Sequence, residues 1–108
     1  MALGRTVIAS RTLLAIDEKG REFEITITVG EPHEISETEW ACSASMEGLR
    51  GRFPDMRGVD SWQALQLAHQ MVGQMLVYFV KDGGRLFTVE ERLPVAPEEL
   101  FPQLAVRS

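Results

Sequence analysis

The chain has 108 residues, 44% hydrophobic and 25% charged, with a net charge of −5 and a pI near 5.0. That length suits one domain, residues 1–108, able to bury about two thirds of its unfolded surface without a metal or disulfide staple. The acidic balance argues against a general nucleic-acid or anionic-membrane binder, and the single Cys42 excludes an intrachain disulfide. Arg5 and Arg11 interrupt the apolar runs near the N-terminus, so no signal-peptide core is expected and the default location is cytoplasmic.

Two strands open the chain. "TVIASRTLLAI" alternates weakly and places Ile8, Leu14 and Ile16 together. "REFEITITVG" alternates strictly, with Phe23, Ile25, Ile27 and Val29 on one side and Glu22, Glu24, Thr26 and Thr28 on the other. "DEKG" between them, with Gly20 free to adopt a left-handed conformation, predicts a hairpin. An acidic connection, "EPHEISETE", leads to a third strand, "WACSASMEGL", with Trp40, Cys42, Ala44 and Met46 facing one way. "RGRFPDMRGVD" reads as a loop.

A long helix follows. Asp60 is a good N-cap, Gln63 completes a capping box, and Val59 is placed to staple against Ala64. "KDGG" stops the helix. Its apolar stripe is Leu65, Ala68, Val72, Leu76 and Phe79, widened by Ala64, Met71 and Met75 on one side and by Trp62 and Val80 on the other. "RLFTVE" is a short fourth strand, and Pro97 can open one helical turn from Glu98 to Phe101. The fold class is therefore α+β in two layers: an antiparallel sheet of about four strands, ordered β-β-β-α-β, with one long helix on one face. The core spans about residues 5–90, and a Pro-containing tail spans 91–108.

The helix poses the main question. From Ser61 to Val80 there is no Asp, Glu, Lys or Arg, and four Gln and one His supply nearly all the polarity. A membrane span of that length would leave those polar groups in hydrocarbon, without an aromatic belt, so no membrane partner is expected. The strip opposite the apolar stripe holds Gln63, Gln66, Gln70, Gly73 and Gln74, with Val77 beside it. A solvated strip would normally carry ions, whereas amides tolerate partial burial. These residues are the expected interface, most simply with a second copy in a homodimer, and another protein is the further candidate. Val95, Leu100, Phe101 and Leu104 of the tail could supply the cover instead.

Little points to chemistry. Cys42 and His69 are the candidate nucleophile and base, but no cation stands beside Cys42 to activate it. His33 lies among four Glu without metal-ligand spacing, so neither a metal nor another cofactor is expected. Arg50, Arg52 and Arg57 surround Phe53 and form a candidate contact for an anion or an acidic partner. The function is accordingly unknown in biological terms. A non-catalytic protein-interaction module is the leading reading; a small-ligand or anion-binding protein or an enzyme using the arginine loop with Cys42 or His69 is the alternative.

Trp40–Leu49, "WACSASMEGL", and Gly58–Ala68, "GVDSWQALQLA", preceded by "VGEP", resemble a bacterial family of small uncharacterised proteins with a domain of unknown function. Its members share a W-x-C strand and a G-x-D-S-x-Q-A-L helix start, and the similarity covers about residues 5–90. The resemblance implies no catalytic residue. The strand order also resembles small antitoxins of the HicB type, which implies a binding role, although no helix-turn-helix is visible.

Overall fold

The computed structural model describes residues 6–101. The first two strands, β1 (Val7–Ile16) and β2 (Glu22–Gly30), form the expected hairpin, with Leu13 opposite Ile25 and Ala15 opposite Phe23. The Asp17 carboxylate accepts hydrogen bonds from the Lys19 and Arg21 amides at 2.9 Å each. Gly20 takes the left-handed φ of 86° that the turn requires. In β1 the helix-facing residues that are fully buried are Leu13 and Ala15. Ile8, Leu14 and Ile16 are therefore not the helix-facing set; Leu14 is still buried, whereas Ile8 is 50% exposed. Weak alternation in β1 left its inner face ambiguous; pairing with β2 decides it.

The sheet is more divided than the expected four strands. β3 (His33–Ser36) lies inside the acidic connection and pairs with β4 (Glu39–Cys42). The anticipated third strand breaks at Ser43 into β4 and β5 (Ala44–Glu47). The Gly30 amide donates to the Ser43 carbonyl at 2.9 Å, tying that break to the end of β2. The segment read as a loop contains β6 (Gly51–Arg52) and β7 (Met56–Gly58). With β8 (Arg85–Phe87), the strands form a five-stranded antiparallel sheet, β6-β5-β2-β1-β8, and a three-stranded one, β3-β4-β7. Short strands separated by one to three residues leave too little periodicity to be seen in a sequence.

Helix α1 (Ser61–Lys81) packs against β4 and β7 of the small sheet and against β2, β5 and β8 of the large one. At 1.5 Å per residue it is about 30 Å long, enough to span both. Ala64, Ala68, Val72 and Leu76 are fully buried, and Leu65, Met71, Met75 and Phe79 pack against the core from its margins. Leu13, Ile25, Met46, Val72 and Leu76 are its largest apolar side chains, each contributing about 1.5–3 kcal/mol on burial. Among the described residues no helix is long and apolar enough to cross a membrane.

Both ends of α1 are set locally. Asp60 accepts from the Gln63 amide at 2.9 Å. Gln63 Oε1 accepts from the amide of Val59 at 2.8 Å, one residue earlier than the usual reciprocal bond. Val59 is 66% exposed, so the expected staple to the buried Ala64 does not form. At the other end the Gly84 amide donates to Phe79 at 3.0 Å, and Gly83 adopts a φ of 101°.

The C-terminal segment folds back onto this frame. Val95 donates to Leu86 at 2.9 Å, α2 (Pro97–Leu100) packs on α1, and Phe101 is only 3% exposed. The core thus draws on residues beyond 90. Leu104, named as possible cover, lies outside the described residues.

Candidate functional site

The residues that carry the family resemblance meet at the junction of the two sheets and the start of α1. Cys42 Sγ donates to the Gly30 carbonyl at 3.2 Å, and Trp40 stands opposite Gly58 in the β4–β7 ladder. A Cβ at Gly58 would lie 2.6 Å from the Ala64 nitrogen and 2.9 Å from Gln63 Cβ. Gly58 is therefore a close-approach glycine that lets β7 run directly beneath the first helical turn. Asp60 and Gln63 cap that turn, and Ala64 is small because it is pressed against the core. The two motifs form one structural joint.

Cys42 is fully buried, and burial first, with the nearby Asp55 second, pushes its thiol above the ordinary range. That is the opposite of nucleophile activation. His69 is half-buried with its ring 4.6 Å from that of Phe101, and burial lowers its pKa. Each side chain is thus engaged in packing, which gives the Cys42–His69 chemistry no support.

The three arginines do not converge on one pocket. Arg50 reaches Met75 Sδ at 3.6 Å, stands over Phe53 at 5.8 Å, and lines a depression with Leu49, Tyr78 and Asp82. Arg52 pairs with Asp55 at 3.1 Å. Arg57 pairs with Glu39 at 3.2 Å and lines a different depression with Thr38, Val59 and Gln63. That last pair joins the arginine loop to the acidic connection within the chain. Among the described residues no three His, Cys, Asp or Glu gather as a metal ion would require.

The strip of α1 divides in two. Gln63, Gln66 and Gln70 are exposed, whereas Gly73 is buried and Gln74 and Val77 are half-buried. The C-terminal segment accounts for part of this: Val77 and Val80 share a groove with Pro94, Val95 and Pro97, and Phe101 lies on His69 one turn before Gly73. Gly73, expected on a face covered by another surface, is buried. Trp62 departs most from expectation. Placed at the margin of the apolar stripe, it is 76% exposed, and Val59 three residues earlier is open as well. Its position to the side of the stripe, in the first turn, lies beyond what the sheets cover. A large aromatic next to three amides was the sequence signal for this patch, hidden by the assumption that Trp62 faced inward.

Fold and site together define an antiparallel two-sheet α+β domain with one long helix, whose distinctive residues secure a strand-to-helix joint and leave an uncharged aromatic patch in solvent. The chain belongs to the family of a domain of unknown function, DUF6968, whose family model matches residues 9–94. No curated protein and no solved structure matches it.

Proposed function

We propose that this protein is a non-catalytic protein-interaction module that pairs with a second copy through the N-terminal half of α1. The observation that carries the reading is Trp62, 76% exposed at the head of a helical face whose next outward residues, Gln63, Gln66 and Gln70, are uncharged. Exposed tryptophan is a favoured anchor of protein contacts, and amides lose less than ions when water is removed. A two-fold contact would set Trp62 of each copy against the glutamine ladder of the other. A bacterial origin belongs to the same proposal, supported by the motif resemblance, and a cytoplasmic location is the accompanying expectation. The competing reading, an anion-binding site or enzyme on the arginine loop, receives less support because Arg50, Arg52 and Arg57 point to separate partners.

Light scattering tests it directly. Wild type is expected at twice the chain mass, while Trp62→Ala and the double variant Gln66→Glu, Gln70→Glu are expected at the monomer mass with unchanged circular dichroism. A monomeric wild type, or a dimer that all three substitutions leave intact, would overturn the assignment.

A further inference from the structure

The large sheet has an edge that its own strands do not close. β1 is 10 residues long, but β8 pairs only with Leu14, Ala15 and Ile16. On that side Val7–Leu13 face no strand among the described residues, and every residue from Val7 to Thr12 is exposed. Such an edge presents alternate N–H and C=O groups to any extended chain that arrives. The register slips between Val7 and Ala9, so Ile8 is bulged and the regular free edge is Ala9–Leu13. Arg11 is its centre.

Arg11 stands opposite Ile27 and thus on the helix side of the sheet. It lines a depression of ≈ 220 Å³ with Ala9, Val29, Leu100 and Phe101. Arg11 also lines a second depression with Thr12, Thr88, Glu90 and Glu91, yet among the described residues no carboxylate forms an ion pair with it. We propose that this edge binds an extended segment of a partner protein, laid antiparallel to β1 in line with β8. That segment carries an acidic residue opposite Arg11 and apolar residues two places to either side. Residues two apart share a face, so the acid meets the guanidinium while its apolar neighbours lie over Ala9 and Leu13, beside the depression.

Two other occupants fit less well. A second copy centred on the free edge would set Arg11 against Arg11, and a shift of one residue would bring the bulged Ile8 opposite Thr12. The stretches outside the described residues, 1–5 and 102–108, contain no acidic residue to answer Arg11. The proposal is independent of the α1 contact, which uses a different surface.

The test uses two labelled heptapeptides, TVTETVT and TVTKTVT, with fluorescence anisotropy and amide hydrogen exchange on the full chain. The glutamate peptide is expected to bind wild type about tenfold more tightly than the lysine peptide, a preference that Arg11→Glu reverses. Exchange of the outward-facing amides within Ala9–Leu13, every second one, should be fast in the free protein at all concentrations and slow with peptide bound. Those turned toward β2 are protected throughout. Reversal by the charge swap also shows that the variant is folded. Equal binding of the two peptides, or no binding, overturns the proposal. Protection of the outward-facing amides that rises with protein concentration assigns the edge to a second copy, and protection at every concentration assigns it to the chain's own ends; either result also overturns it.

Discussion

Gly58 shows how one atom can govern a joint. Its backbone passes so close to the first turn of α1 that a methyl group would press on the Ala64 nitrogen, an atom fixed in the helix ladder. Gly58→Ala is expected to cost about 2–4 kcal/mol in urea unfolding, the range for forced backbone shifts in a packed core. Asp60→Ala, which removes only the cap to Gln63, is expected to cost about 1 kcal/mol by the same measurement. Cys42 is a further case. Its raised thiol pKa and full burial predict that iodoacetamide at about pH 8 leaves it unmodified until denaturant is added. Rapid native labelling would show that the joint opens, or that the thiol is activated by something other than its packing.

At the scale of elements, the contact between α1 and the C-terminal segment is the most informative. Phe101 closes the side of α1 near His69 and belongs to the main core cluster, so Phe101→Ala is expected to cost about 3–5 kcal/mol. His69 adds a pH dependence. Burial lowers its folded-state pKa, so the unfolded chain takes up the proton first. Stability from this group is therefore complete above about pH 6.5 and declines as the pH falls through the folded value. Comparing melting temperatures of wild type and His69→Phe across that range isolates the effect from the carboxylates. A wild-type loss no larger than that of the variant would show that His69 does not feel its burial. The surface ion pairs contribute far less: Arg57→Ala, which breaks the pair with Glu39, is expected to change stability by under about 1 kcal/mol.

For the whole molecule, the decisive feature is that one helix serves two sheets and still has surface left over. Its inner stripe is consumed by strands from both, and the C-terminal segment takes the flank around Val77 and Val80. Among the parts that remain open is the first half of the outer face, where Trp62 stands. Together with the unpaired length of β1, this leaves the domain two chemically distinct surfaces, one aromatic and amide-rich, the other a hydrogen-bonding edge with a cation at its centre. If both proposals hold, α1 substitutions change the mass in light scattering without changing peptide binding, and Arg11→Glu does the reverse.

The sequence by itself determined the features whose causes are local. Strict alternation in Phe23–Val29 settled the inner face of β2, the Asp17–Gly20 turn settled the hairpin, and Asp60, Gln63 and the two glycines after Asp82 bounded α1. Tertiary structure alone decided the break of the third strand at Ser43, the burial of Gly73, the exposure of Trp62 and the separation of Arg50, Arg52 and Arg57. Each of these depends on which distant segment comes to lie alongside, and side-chain periodicity reports the shape of an element but carries no information about its neighbours.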